Sequence, residues 1–157
     1  MPDIPQYFLQ GDRGEDQTFA PDERLYRRLQ PGSGDEVEID AVELPDISCE
    51  RAKYCRPTDC LWSESERFKG WGVFSFPVKA IVPRLSHLGI KIYCFRAVHV
   101  PQARRYQHSE VRAFDETGTI HIGKAEIEMI DRETQLRFRQ KIVEYSQILI
   151  KPDPVAS

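Results

Sequence analysis

The stretch GIKIYCFRAVHVPQARRYQHSEVRAFD, residues 89–115, predicts the centre of the fold. Its first part, residues 91–100, carries apolar side chains at both parities, which is typical of a strand with neighbours on both sides. A second apolar segment follows at residues 109–115, and the polar, basic residues between the two predict a loop. We therefore expect an antiparallel hairpin in the middle of a sheet.

The register of this hairpin decides what its side chains can do. With a loop of about residues 100–107, His99 lies opposite His108 and Ala97 lies opposite Glu110. Directly opposed residues share one face of a sheet, so His99, His108 and Glu110 would cluster on one surface. Because the side-chain period of a strand is two, a slip of one residue would send the two sets to opposite faces.

Two imidazoles and a carboxylate on one surface can support chemistry. They can bind zinc, iron or manganese, or they can act as a general acid and base with Glu110 orienting an imidazole. The alternative is structural, since histidines at strand ends often only cap the sheet edge and Glu110 can pair with Arg112 or Arg96. His99, His108 and Glu110 are therefore the candidate catalytic residues, and no metal is assigned to them.

The loop at residues 101–108 has a second potential use. Arg104, Arg105 and Tyr106, extended by Arg112, can hold an anionic group or stack a nucleic-acid base, so they are the candidate ligand-binding residues. The net charge of -3 argues against nucleic acid, and no nucleic-acid-binding module is visible. Weak single-stranded nucleic-acid binding is the third hypothesis, and a solvated basic loop is the structural alternative.

Short elements are predicted before the hairpin. A proline followed by two acidic residues favours a short helix at residues 22–29, with a strand as the alternative for RLYRRL. Strict alternation in EVEIDAVEL favours a half-exposed strand at residues 36–44. A short helix at residues 57–62 is followed by a strand at residues 71–81, which Pro77 restricts to a sheet edge or splits.

A long helix is predicted near the C-terminus. Two short strands, at residues 119–122 and 125–130, come before it. Asp131 is a suitable N-cap. The apolar residues that follow it recur at helical spacing and predict an amphipathic helix of about four turns. They are Phe138, Ile142, Tyr145 and Leu149.

The pattern as a whole indicates an α+β protein. Adjacent strands with segregated helices favour a mostly antiparallel sheet packed on the long C-terminal helix, with short helices on the N-terminal side. We expect one domain over residues 21–150, preceded by an irregular arm at residues 1–20 and followed by a proline-rich tail at residues 151–157 that frays.

Composition restricts the surroundings of the protein. No apolar run reaches the roughly 20 residues that span a bilayer, and the first residues lack the features of a signal peptide, so we expect a cytoplasmic protein without membrane contact. The four cysteines match no paired zinc-knuckle spacing, which favours free thiols. The alternative is a zinc site in which Cys49, Cys55 and Cys60 recruit a histidine.

No catalytic motif stands out. The phosphate-binding, dinucleotide-binding, serine-hydrolase and zinc-protease signatures are absent from the sequence. We therefore favour a non-catalytic interaction or accessory protein that binds another protein, a second copy of itself, or an anionic ligand. A small hydrolase or transferase that uses the His/His/Glu cluster, with or without a metal, is the alternative. No cofactor can be named from the sequence.

Overall fold

Eight strands form one sheet in the computed structural model, which describes residues 3–155. The strands are β1 (Arg24–Leu29), β2 (Ile47–Arg51), β3 (Gly72–Pro77), β4 (Arg84–His87), β5 (Lys91–His99), β6 (His108–Phe114), β7 (His121–Ile122) and β8 (Gln147–Ile150). Their order is β4-β5-β6-β2-β1-β3-β8, with β7 added to β6. Every described pairing is antiparallel, which confirms an α+β protein built mainly on an antiparallel sheet.

The predicted central hairpin is confirmed, but its predicted register is wrong. His99 pairs with Ser109, Val98 with Glu110, and Ala97 with Val111. The side chain of His99 is therefore on the core face, whereas His108 and Glu110 are on the opposite face. The predicted cluster of these three residues is not formed.

One extra residue in the loop causes this slip. The tip is a tight turn in which Gln102 bridges Arg105, and this bridge follows the predicted register. Farther down, the N–H of Val100 donates to the carbonyl of His108, which follows the observed register. Between the two points, Tyr106 and Gln107 lie opposite Pro101 alone. A bulge of this kind shifts all subsequent pairs by one position.

One face of the sheet packs on two helices, α1 (Lys124–Ile127) and α2 (Arg132–Glu144). Asp131 caps α2 as predicted, since its carboxylate accepts the N–H of Thr134 at 3.1 Å. Phe138 and Ile142 are buried in the core, and the ring centroid of Phe138 lies 4.9 Å from that of Phe95. None of the helices within residues 3–155 is long and apolar enough to cross a membrane.

The long C-terminal helix is confirmed only in part. It has 13 residues and ends at Glu144, so the predicted position Leu149 is in strand β8 instead. Residues 147–150, QILI, alternate in burial and pair with β3. Leu149 fits a period of two as well as the helical period, and sheet pairing decides between them.

Four other predictions are wrong, three about the type of an element and one about the position of a strand in the sheet. Residues 24–29 form β1 rather than a helix, because this segment is hydrogen-bonded to β3 along its whole length. Residues 36–44 contain the short 3₁₀ helix Ile39–Ala41 rather than a strand. Residues 124–127 form α1 rather than a strand, and β3 is an interior strand that ends at Pro77 rather than an edge.

The second face of the sheet is covered by the N-terminal arm and by the 3₁₀ helix Pro57–Leu61. A smaller apolar cluster lies between them, formed by Phe8, Tyr26, Cys55, Cys60 and Val73. The predicted short helix at residues 57–62 is thus confirmed as 3₁₀. It lies over the face that α2 leaves uncovered.

The arm at residues 3–20 contains the short 3₁₀ helix Gln6–Phe8, and it is held to the sheet by the guanidinium of Arg51. This side chain is fully buried and donates two hydrogen bonds to Glu23, at 2.7 and 2.8 Å. It also donates to the carbonyls of Asp16 and of Thr18. Arg51 therefore joins β2, the arm and the segment before β1.

The C-terminal tail does not fray along the part that is described. The N–H of Asp153 donates to the carbonyl of Gly70 at 2.8 Å, and the carbonyl of Asp153 accepts the N–H of Gly32 at 2.7 Å. The predicted arm and tail also include Met1, Pro2, Ala156 and Ser157, which lie outside the described residues.

Candidate functional site

A cleft of about 730 Å³ opens where β1 and β2 diverge. The two strands pair only at Leu25 with Arg51 and at Tyr26 with Glu50. Beyond these pairs the strands separate, and side chains from both of them line the gap. The volume is in the range of small-molecule sites in proteins. The cleft is therefore the candidate functional site.

The polar floor of the cleft is centred on the carboxylate of Glu50. This side chain is 6% exposed, and its Oε1 accepts from Arg105 Nε at 2.6 Å and from Gln107 Nε2 at 3.2 Å. Within residues 3–155, Glu50 Oε2 and Gln107 Oε1 are both buried and have no hydrogen-bond partner. Buried acceptors without a donor are rare in folded proteins, so this floor is a site with unused binding capacity.

Arg28 supplies a positive charge in the cleft wall that takes part in no salt bridge within residues 3–155. Its Nη1 donates to the carbonyl of Cys60 at 2.9 Å, and its Cζ lies 3.9 Å from the ring centroid of Phe68. No carboxylate in the described part of the chain forms a salt bridge with it, and burial lowers the pKa of its guanidinium. Because a half-buried cation that forms no salt bridge is only partly neutralised, an anion bound in the cleft would be stabilised here.

Two thiols lie beside this floor. Cys60 lines the cleft, and Cys55 and Cys60 are both buried in the second apolar cluster. Their sulfur atoms and a carboxylate oxygen of Glu50 lie within 4.8 Å of one another. Burial, together with the neighbouring Cys55 thiol and Glu50, raises the pKa of the Cys60 thiol. The zinc alternative drawn from the sequence included Cys49, but Cys49 belongs to the main core.

His108 and Glu110 lie together at the edge of the cleft. His108 Nε2 is 3.6 Å from a carboxylate oxygen of Glu110, and the other oxygen of Glu110 accepts from Arg112 Nε at 2.8 Å. His108 lies directly opposite Glu50 across β2 and β6 and lines the cleft. Two of the three predicted catalytic residues, His108 and Glu110, are thus neighbours. Glu50 lies beside His108 as well, although the sequence did not predict it there.

His99 is fully occupied by structural contacts. Its Nδ1 accepts the N–H of Asp16 at 2.8 Å, and its Nε2 lies 2.7 Å from the carbonyl of Tyr106, to which it donates. A ring that accepts at one nitrogen and donates at the other is neutral. Its exposure is only 1%, and burial lowers its pKa. His99 therefore holds the arm against the hairpin and does not face the cleft.

The structure does not bring the four predicted ligand-binding residues to one surface. Arg104 is exposed and paired with Glu64, whereas Tyr106 is buried and donates its hydroxyl to the carbonyl of Gly14 at 2.7 Å. Arg105 lines the cleft, but its guanidinium is bound to Glu50 and to the carbonyls of Asp59 and Trp62. Arg112 is paired with Glu110.

The residues that line the cleft had only faint signals in the sequence. Glu50 and Arg28 stand in the segments ISCER and RLYRRL, and nothing in either segment shows that the two strands diverge beside them. Cys55 and Cys60 could be singled out by their spacing alone. Gln107 had no signal, because its inward orientation depends on the bulge in the hairpin loop.

Stability should fall as the pH drops from 7 to 5. Burial lowers the pKa of both His99 and His108, so below the ordinary value of 6.5 the unfolded chain binds protons that the folded chain does not. The free energy of unfolding is then lost as the pH falls from 6.5 through the lower folded-state pKa of each histidine. Each histidine contributes at most about 1.4 kcal/mol per pH unit.

Urea denaturation at a series of pH values measures this loss. The variants His99→Gln and His108→Gln should each have a shallower dependence on pH than the wild type. A wild-type stability that is flat between pH 7 and 5, or a slope that neither variant changes, would contradict the prediction. Carboxylates ordinarily titrate near pH 4, so they contribute little in this interval.

Comparisons of the chain with models of protein families, with curated proteins and with solved structures found no match.

Proposed function

We propose that the protein is a non-catalytic binding or accessory protein whose cleft takes a small ligand with phosphate or carboxylate groups. The observation that carries this proposal is Arg28, a half-buried guanidinium that lines the cleft and forms no salt bridge with any of the described residues. Arg27 and Arg67 line the same cleft, although Arg27 is already paired with Glu43. A buried arginine with free N–H groups can form charge-assisted hydrogen bonds with oxyanions.

The ligand is expected to be small and to carry few negative charges. The rim of the cleft includes Glu38, Asp40 and Glu43, and Glu50 lies on its floor. These carboxylates would repel a long polyanion, which weighs against the single-stranded nucleic-acid hypothesis. A compact anion can contact Arg28 while remaining away from the acidic rim.

Replacing Arg28 with alanine is expected to weaken anion binding about tenfold or more, because a hydrogen bond to a charged group contributes about 1.5–3 kcal/mol. Isothermal titration calorimetry of the metal-free protein with inorganic phosphate, and separately with citrate, measures this. Arg96→Ala removes the same charge from an exposed position on β5 that does not line the cleft, so it should bind within about twofold of the wild type.

The proposal fails if neither anion binds to the wild-type protein. It also fails if Arg96→Ala weakens binding as much as Arg28→Ala does, because the effect would then come from the overall charge of the protein. Circular dichroism of each variant checks that the fold is retained.

A protein partner and a cytoplasmic location are also part of the proposal. Leu88, Ile90 and Met129 are exposed, Ile90 by 85%, and exposed apolar side chains of this size support a contact with another protein or a second copy of the chain. All four cysteines are free thiols, which is the usual state in a reducing compartment.

A further inference from the structure

A set of donor atoms suited to a borderline-soft divalent metal ion lies beside the floor of the cleft. Cys55 and Cys60 each offer a sulfur atom, and Glu50 offers a carboxylate oxygen. These atoms lie within 4.8 Å of one another, and all three residues are at least nine-tenths buried. Two thiolates with one carboxylate form a ligand set that zinc accepts.

The floor beside the thiols has two acceptor atoms without donors. Glu50 Oε1 is held by Arg105 and Gln107, which leaves Oε2, buried and unpartnered in the described chain, as the oxygen available to an ion. The side chain of Gln107 is fully buried, and its Oε1 is also unpartnered. An ion bound to Glu50 Oε2 would satisfy one of these acceptors. Arg105 and Gln107 would then orient the liganding carboxylate from behind.

We propose that Glu50, Cys55 and Cys60 bind one zinc ion, and that this ion joins strand β2 to the segment that covers the second face of the sheet. Ligand atoms about 2.3 Å from a tetrahedral ion are about 3.8 Å apart, so the sulfur and oxygen atoms would have to move by no more than about 1 Å. The four residues between Cys55 and Cys60 are within the range of spacings that structural zinc sites use.

Zinc binding at these residues is balanced in charge. Each thiol loses its proton to solvent when its sulfur binds the ion, so two protons leave as one divalent cation enters. The net charge of the buried cluster is unchanged, and Glu50 keeps its ion pair with Arg105. Neither an oxidant nor a reductant is required.

The fourth coordination position would face the cleft. Cys60 lines the cleft, and so does His108, which lies opposite Glu50 in the sheet. A water molecule, or the imidazole of His108 after a change of rotamer, can supply the fourth ligand. The zinc proposal does not rest on the proposed anion site at Arg28, because zinc binding needs no bound anion and the anion titrations use the metal-free protein.

Metal content and cobalt absorption test the proposal. The metal-free protein, kept reduced, is mixed with excess Zn²⁺, passed through a desalting column and analysed for zinc. We expect one zinc per chain for the wild type and for Cys94→Ser, a matched control whose thiol is in β5. Loss of a supporting residue alone weakens metal sites 10–100-fold, so Cys55→Ser and Cys60→Ser should weaken zinc binding at least tenfold.

Cobalt gives a readout that does not depend on the variants folding. Added to the wild-type protein, Co²⁺ should produce the near-ultraviolet absorption of cobalt bound to thiolates together with the visible bands of tetrahedral coordination. The proposal is overturned if the wild type retains no zinc, or if the cobalt complex lacks thiolate absorption. Equal zinc binding by the wild type and by a folded Cys55→Ser or Cys60→Ser variant would also overturn it.

Discussion

Replacing Arg51 with methionine is expected to lower the free energy of unfolding by about 3–5 kcal/mol. The guanidinium is fully buried, and its partner Glu23 is only 9% exposed. Removing the arginine would leave this carboxylate buried without a counter-ion. It would also remove the donors that hold the carbonyls of Asp16 and Thr18, so the arm would lose its main attachment to β2.

Urea denaturation of the wild type and of Arg51→Met measures this loss. Arg56→Met is the matched control, because Arg56 is 73% exposed and its salt bridge with Asp59 is screened by solvent, so the loss of stability should be far smaller. Arg51→Lys should fall between the two, since lysine keeps the charge but lacks the two-pronged geometry. If Arg51→Met is as stable as Arg56→Met, the buried guanidinium does not hold the arm.

The second large effect is expected at Arg105, which we predict to be a structural residue despite its place in an arginine-rich loop. In the metal-free protein, Arg105→Ala should lower the free energy of unfolding by about 3–5 kcal/mol, because Glu50 would keep a buried charge without its ion pair. The carbonyls of Asp59 and Trp62 would also lose a donor.

The neighbouring residue supplies the control. Arg104 is 61% exposed, so Arg104→Ala should change the stability by less than about 1 kcal/mol. Adding Glu50→Gln to Arg105→Ala should recover at least about 0.5 kcal/mol, because the unpaired charge is removed with its partner. Equal losses in the two single arginine variants, or no recovery in the double variant, would show that Arg105 does not act through Glu50.

The sequence was sufficient to predict the sheet, its antiparallel pairing and the N-terminus of α2. These features depend on local signals, such as the long apolar run of β5 and the capping residue Asp131. Leu25 and Leu29 were ambiguous, because a spacing of four residues fits one face of a helix and also one face of a strand. Pairing with β3 and β2 resolves this ambiguity, and it involves partners distant in the sequence.

The predicted catalytic cluster failed for a similar reason. Its geometry depended on the register of one hairpin, and the register depends on a bulge at Tyr106 and Gln107 that no local pattern indicates. The side chains of these two residues turn inward to form hydrogen bonds with residues that are distant in the sequence. Tyr106 donates to Gly14, and Gln107 donates to Glu50. The sequence did not predict the cleft either, because the cleft forms where two paired strands diverge.

The docking of the arm has a consequence for the order in which the protein can mature. During synthesis the arm is made before its partners, so Asp16 must wait for His99 and Gly14 must wait for Tyr106, 83 and 92 residues farther along the chain. Contacts of such long range form slowly. The arm is therefore among the last segments to reach its native place, and until then the apolar cluster beneath it is open to solvent.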